Sequence, residues 1–174
     1  ICGGYQMLGE CITDPYGVEE GGMLRGMELL PMETEMEQEK TRTQVDGTFE
    51  ELTGVLSVLS GVKLTGYEIH MGQSIYETQP CRLVELTDTR TQESNEDGYA
   101  SDRVYGSYVH GIFDRHEIVE TILGALAQEK GIEAPSEHIL DYCAYKETQY
   151  DRLAEELRNA IDMSRIYEIM DKGV

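Results

Sequence analysis

The sequence has no tryptophan and only two phenylalanines among its 174 residues. Its eleven tyrosines and eight methionines must therefore supply many of the large side chains of a core. No segment approaches the ~20 consecutive apolar residues of a membrane span, and no basic-then-apolar signal peptide opens the chain. We therefore expect no membrane partner and a cytoplasmic location.

Basic side chains are also scarce. Fourteen Lys and Arg residues oppose 34 Asp and Glu residues, which leaves a formal net charge of −20. Because nucleic-acid binding needs an excess of Lys and Arg to neutralise phosphates, we expect no nucleic-acid partner.

The four cysteines are Cys2, Cys11, Cys81 and Cys143. They form no Cys-x-x-Cys pair and no regular framework, which is typical of reduced thiols in a cytoplasm. We expect no metal site, and we expect the last three cysteines to be buried as small apolar side chains.

The apolar pattern predicts a layered α/β domain. A turn at the opening glycines leads into a predicted helix from Tyr5 to Ile12. Residues 33–39 are rich in Glu and are expected to form a solvated loop. Strand-like runs occupy much of the middle of the chain, at Val55–Leu59, Val62–Met71, Arg82–Leu86 and Val104–Phe113.

The last third is predicted to be helical. The helix predicted before Gly131 carries one apolar stripe, and Gly131 is suited to end it. Thr148–Asp151 resembles a capping box before a second helix. Asp162 can cap a last short helix.

The chain does not begin with methionine, and its first residues look like the middle of a fold with a strand ending at Ile1. We therefore expect that an N-terminal part of the same domain is missing. Residues 1–174 are interpreted as the remaining portion of one domain, with part of the catalytic core at 1–130 and a helical tail at 131–174.

The opening segment Cys2-Gly3-Gly4 has the features that activate a thiol. A sharp strand-to-helix turn exposes the side chain, and the start of the helix favours the thiolate. Small residues suit such a crowded turn, and the N–H of Gly3 would face a tetrahedral oxyanion. The alternative is a structural thiol beside a plain glycine turn.

A nucleophilic thiol also needs a histidine as general base. His116 and His138 lie in contexts typical of the surface. His70 and His110 each lie in a strand that runs into a glycine, where α/β active sites collect. Periodicity alone does not separate these two.

Several segments resemble the class I glutamine amidotransferases. Residues 1–9 (Ile-Cys-Gly-Gly-Tyr-Gln-Met-Leu-Gly) resemble the Cys-x-Gly-x-Gln nucleophile segment of that family. Residues 66–72 (Gly-Tyr-Glu-Ile-His-Met-Gly) and 106–114 (Gly-Ser-Tyr-Val-His-Gly-Ile-Phe-Asp) narrow the resemblance to its cobyric acid synthase branch. Residues 40–45 and 145–170 are similar to that branch as well. The implied fold is a flavodoxin-like layered sheet with helices.

The resemblance implies roles for particular residues. Cys2 aligns with the nucleophile that attacks the side-chain amide of glutamine, and His110 aligns with the base. Gly3 aligns with an oxyanion donor, and Gln6 matches a Gln that contacts bound glutamine. Removing one oxyanion donor costs roughly 3–4 kcal/mol of barrier. Because the second donor would come from upstream, we expect little activity from this chain alone.

The segment from Glu68 to Gly72 aligns with the place where relatives bind the amino-acid head group of glutamine. His70 is therefore interpreted as a site-shaping residue. Many class I enzymes carry His-x-Glu, whereas Ile112 stands two residues after His110. Glu68 is an alternative orienter of the base, or else a group that recognises the glutamine amine.

The resemblance also implies partners. Ammonia would pass to an upstream ATP-dependent synthetase domain of the same polypeptide, which amidates adenosylcobyrinic acid a,c-diamide in cobalamin biosynthesis. The chain holds no GxxxxGK[ST] phosphate-binding loop, so ATP and Mg²⁺ are expected in that upstream region and no cofactor is expected here. The multiply anionic corrinoid would bind mainly there too.

Three alternatives remain open at this point. The chain could instead resemble the glutaminase subunit of lipid II isoglutaminyl synthase, which shares the Cys-Gly-Gly-Tyr-Gln and Tyr-Glu-x-His features. Cobyrinate a,c-diamide synthase is a weaker match at the nucleophile segment. A redox-sensing or non-catalytic cysteine protein on the same fold is the third alternative.

Overall fold

The computed structural model describes residues 1–101, 103–134 and 141–173, and the chain forms two compact units at residues 1–139 and 140–174. The expected surface position of His138 lies outside the described residues.

The strands in the described residues are β1 Cys11–Asp14, β2 Gly22–Arg25, β3 Met32–Phe49, β4 Lys63–Tyr76, β5 Val84–Asp88, β6 Ser94–Asp97, β7 Tyr99–Ala100, β8 Tyr105–Gly106 and β9 Val109–His110. A mixed sheet dominates the described part of the first unit, with strand order β2-β1-β3-β4-β9, β5 beside β3 and β6 beside β5. Within this described sheet, β1 and β3 pair in parallel and the other pairs are antiparallel. Strands β7 and β8 pair as a small antiparallel ribbon.

The predicted loop at 33–39 is wrong, because β3 begins at Met32 and runs through it. Met32 and Thr34 are fully buried and alternate with Glu33, which is exposed. The acidic residues therefore follow the period of two that a half-buried strand requires. A register shift against β4 between Met36 and Thr41 interrupts the ladder.

The predicted opening helix is too long. Helix α1 spans Gly3–Met7, and the last two residues of the predicted helix belong to β1. The predicted strand at 55–59 is a 3₁₀ helix, Gly54–Leu59, and the predicted strand at 104–113 is divided into β8, β9 and a 3₁₀ turn. The β-branched and aromatic residues of these segments favour strands, but this preference depends on context and does not by itself decide the conformation.

The later helices are α2 His116–Lys130, α3 Tyr142–Ala160 and α4 Met163–Lys172. Gly131 ends α2 with a left-handed φ of 65°, as predicted. The capping box predicted at 148 is wrong, because Asp141 caps α3 by accepting the N–H of Ala144. Asp162 caps α4 as predicted, by accepting the N–H of Arg165.

Among the described residues of the first unit, the buried apolar side chains form two clusters. The larger packs β3, β4 and β5 against α2, and the smaller consists of Tyr5, Leu30, Met32 and Tyr108. Tyrosine and methionine do provide large buried side chains in the smaller cluster, as the composition predicts. The expected burial of the other cysteines is wrong for two of them, since Cys81 and Cys143 are exposed. Within the described ranges, no helix is long and apolar enough to cross a bilayer.

Candidate active site

Cys2 stands at the start of α1 in a conformation that only a few non-glycine residues adopt. Its φ is 52° and its ψ is −122°. Its N–H donates to the carbonyl of Ser107 at 2.9 Å, and its own carbonyl accepts the N–H groups of Tyr5 and Gln6. Strained backbone of this kind persists only where neighbouring contacts hold it, and it concentrates at active sites. The sharp turn predicted at the thiol is present.

The Cys2 thiol is half-buried, and its Sγ lies 3.7 Å from the carbonyl oxygen of Ile69 in β4. A Cβ added at Gly3 or Gly4 would meet no atom within 4 Å. Among the described residues, a larger side chain at either glycine would therefore meet no steric obstacle within 4 Å outside the neighbouring chain segment.

His110 lies in β9, where it pairs in register with Tyr67 of β4. The two rings are stacked, with centroids 5.0 Å apart and planes 6° apart. Its Nε2 is buried and has no hydrogen-bond partner among the described residues. A buried polar atom without a partner is costly and rare, which marks this nitrogen as available to a reacting group.

Strand β4 contacts both the thiol and this imidazole. The thiol lies against the backbone carbonyl of Ile69, and the imidazole stacks on the ring of Tyr67, two residues earlier on the same strand. Two residues of an extended strand span about 7 Å.

His70 is a different case, because its Nδ1 lies 2.8 Å from the carbonyl oxygen of Gly72, within hydrogen-bond distance. Its Nε2 lies 3.7 Å from Oε1 of Glu68, which is longer than a hydrogen bond. The ring also stacks on Tyr108 with centroids 3.8 Å apart. The geometry therefore favours His110 over His70 as the base.

Glu68 is buried and pairs in register with Val109. Since successive side chains of a strand point to opposite faces, Glu68 faces away from the side on which Tyr67 stacks on His110. The structure thus joins Glu68 to His70 and removes it as the orienter of His110.

Gln6 is a buried residue of α1, and its Nε2 donates to the hydroxyl of Tyr108 at 3.5 Å. That hydroxyl also lies 3.0 Å from Oγ of Ser74. A Cβ at Gly72 would lie 2.3 Å from Gln6 Nε2, so only glycine leaves room for the amide. Gln6 and the segment after Glu68 are therefore in direct contact.

A cleft of about 350 Å³ opens on the Glu68 and His70 side of β4. Its lining has one guanidinium, that of Arg82, and five carboxyl groups, which belong to Glu37, Glu39, Glu68, Glu96 and Asp97. Burial raises the pKa of Asp97, and the neighbouring Glu68 carboxylate raises it further. Such a cleft attracts an ammonium group, as the α-amino group of an amino acid would provide.

Sequence reasoning did not single out three residues that shape this site: Asp97, Ser107 and Tyr108. The polar sequence of residues 89–97 predicts a surface loop, and Asp97-Gly98 indicates only a turn, whereas Asp97 ends strand β6. Across the described ranges, no cluster of three or more His, Cys, Asp or Glu side chains is arranged to hold a metal ion.

The family comparison agrees with the fold. The family model of the CobB/CobQ-like glutamine amidotransferase domain matches residues 1–118, and the chain belongs to this family. The α/β class expected from the sequence is confirmed.

Three curated relatives belong to one kind of protein within this family, cobyric acid synthase. The chain is 43% identical to cobyric acid synthase of Lachnoclostridium phytofermentans over 185 aligned positions, which cover 100% of this chain and 36% of that relative. It is 46% identical to cobyric acid synthase of Ruminiclostridium cellulolyticum, covering 100% of this chain and 34% of the relative. The cobyric acid synthase of Photorhabdus laumondii is 42% identical, over 98% of this chain and 34% of the relative. The chain thus spans about a third of the length of these curated relatives.

Proposed function

We propose that this chain is the glutaminase portion of a cobyric acid synthase and hydrolyses glutamine through a thioester on Cys2. The observation that carries the proposal is that a strained cysteine turn and a buried imidazole nitrogen, which has no hydrogen-bond partner in the described part of the chain, both lie against strand β4. Family membership supports the same chemistry.

In the proposed reaction, His110 takes the thiol proton and the Cys2 thiolate attacks the side-chain amide carbon of glutamine. Gly3 N–H donates to the oxyanion. When the tetrahedral intermediate collapses, the C–N bond breaks and His110 returns the proton to the leaving ammonia. A water molecule, deprotonated by His110, then attacks the thioester and releases glutamate and the thiol.

Glu68 and His70 line the cleft beside β4, whereas Cys2, His110 and Gln6 do not line it. The proposed roles of Gln6, whose amide contacts Tyr108, and of Glu68, as the acceptor for the α-amino group of glutamine, therefore rest on the family resemblance. His70 is held between Glu68 and Gly72, so its role is to fix the shape of the head-group pocket.

The ammonia would be used by a synthetase domain of the same polypeptide. We propose that ATP and Mg²⁺ bind in that domain, where ammonia amidates adenosylcobyrinic acid a,c-diamide, and that the enzyme works in the cytoplasm. The support is that the relatives are named cobyric acid synthase and are about three times as long as this chain. Their names do not favour the isoglutaminyl synthase alternative.

Alkylation by 6-diazo-5-oxo-norleucine, a glutamine-like electrophile, tests the proposal in the full-length polypeptide. Cys2 is expected to be labelled, while the exposed Cys81 and Cys143 serve as internal controls that stay unlabelled. Excess glutamine should protect Cys2. Labelling spread over the exposed thiols would instead favour the redox alternative and overturn the glutaminase assignment.

A further inference from the structure

We propose that Asp97 is a positioning residue for the glutaminase site, because its carboxylate fixes the backbone that connects Cys2 to His110. The inference rests on the proposed function and adds a residue that neither the motifs nor the family match identifies.

One oxygen of Asp97 organises three consecutive residues. Its Oδ2 accepts the hydroxyl of Ser107 at 2.5 Å and the N–H of Tyr108 at 3.0 Å. The Ser107 Oγ in turn accepts the N–H of Val109 at 2.9 Å. All these contacts are buried, so water does not replace them if the carboxylate is lost.

Both ends of this segment lead into the proposed reacting groups. The carbonyl of Ser107 accepts the N–H of Cys2, which holds the strained turn of the nucleophile. Val109 directly precedes His110 and pairs with β4. A shift of the segment would therefore move the thiol and the imidazole relative to each other.

The fold delivers Asp97 to this place through a close approach of two backbone segments. Asp97 ends β6, and Gly98 follows with a φ of 80°. A Cβ on Gly98 would lie 2.5 Å from the carbonyl oxygen of Gly106. The glycine thus lets the carboxylate reach under the segment that begins at Ser107.

Neutral acceptors can replace the carboxylate at this position. Burial raises the pKa of Asp97, which means that the site favours an uncharged group. Asparagine has the same shape and an amide oxygen that can accept both hydrogen bonds. If positioning is the role, Asp97→Asn should therefore retain function while Asp97→Ala should not.

Asp88 offers a matched control at the other end of the same hairpin. It accepts the N–H groups of Arg90 and Thr91 and the hydroxyl of Thr43. It lies four residues along β5 from Val84, the register partner of Asp97, or about 13 Å. Asp88→Ala removes a comparable set of bonds far from the site.

The experiment measures alkylation of Cys2 by 6-diazo-5-oxo-norleucine in the full-length polypeptide, with the maximal rate and the half-saturating concentration determined separately. A misplacement of about 1 Å at reacting groups can slow a reaction about 100-fold. We expect Asp97→Ala to lower the maximal rate by about that factor, whereas Asp97→Asn and Asp88→Ala should stay within about threefold of wild type.

Each contrary outcome is informative. Wild-type protein that is not alkylated at Cys2 would refute the proposed function itself. An unchanged maximal rate in Asp97→Ala, a loss in Asp97→Asn equal to that in Asp97→Ala, or a change confined to the half-saturating concentration would overturn the positioning role. If Asp97→Ala does not fold, Ser107→Ala decides, since it breaks the link to Val109, and wild-type rates in that variant would also overturn it.

Discussion

Gly66 lies where β4 and β9 come closest, and a methyl group there should separate the two strands. A Cβ at this position would lie 2.3 Å from the carbonyl oxygen of His110 and 2.6 Å from Cγ1 of Val109. An ordinary contact is at least 3.4 Å, so the His110 carbonyl must move by about 1.1 Å. This atom belongs to the backbone, so a side-chain rotation cannot relieve the contact.

The expected cost follows from the packing of the core. Val109 is fully buried in the larger apolar cluster, and overpacking such a core costs about 1–3 kcal/mol. We expect Gly66→Ala to lower the free energy of unfolding by about 2–3 kcal/mol. A displacement of about 1 Å at the proposed base should also slow alkylation of Cys2 about 100-fold.

Urea denaturation followed by circular dichroism measures the first effect, and the alkylation rate measures the second. Gly124 is the matched control, because a Cβ at this helical position meets nothing within 4 Å. Gly124→Ala should raise the free energy of unfolding by about 0.5–1 kcal/mol. If Gly66→Ala left both stability and alkylation at wild-type values, the reasoning from the close strand contact would be refuted.

Three further predictions concern the same site and core. Cys2→Ser in the full-length polypeptide should abolish glutamine-driven amidation and leave ammonia-driven amidation intact; loss of both in an amidation assay would indicate a structural role for the thiol. Gly72→Ala should displace the Gln6 amide and raise the KM for glutamine without changing ammonia-driven rates; an unchanged KM would contradict the contact. Burial raises the pKa of Tyr5 above its usual 10.0, so the unfolded chain loses this proton first and stability falls as the pH rises past about 10, by up to ~1.4 kcal/mol per pH unit. Tyr5→Phe should flatten that decline in urea titrations between pH 9 and 11; an unchanged slope would count against it.

The local chemistry of the sequence was sufficient to predict several features of the fold. The Cys-Gly-Gly opening predicted a sharp turn, and Cys2 has the positive φ of such a turn. Gly131 and Asp162 were expected to end one helix and begin another, and both do so. These features depend on backbone freedom and on side-chain capping over a few residues, which a sequence displays directly.

Longer-range features were not predictable in the same way. The acidic segment 33–39 was expected to be a loop because glutamate is rare in strands, yet pairing with β1 and β4 makes it part of β3. The capping box expected at Thr148 is wrong because α3 is capped by Asp141, about two turns earlier. In the first case, pairing with distant strands outweighed local propensity, and in the second, the cap lies in a segment whose capping residue the sequence analysis did not single out.

The sequence by itself determined the kind of chemistry, because a thiol beside two glycines, two strand histidines and the motif spacing are all properties of the chain order. Its periodicity could not distinguish His70 from His110, since both lie in similar strands that run into glycine, and the assignment of His110 as the base came from the family resemblance. The tertiary structure adds the physical difference, because Nδ1 of His70 lies 2.8 Å from the carbonyl oxygen of Gly72, whereas Nε2 of His110 is buried without a hydrogen-bond partner among the described residues. The importance of Asp97 likewise arises from a fold that brings residues ten and more positions apart into hydrogen-bond contact. Hydrogen bonds and burial are properties of neighbours in space, and neighbours in space are what the chain acquires only on folding.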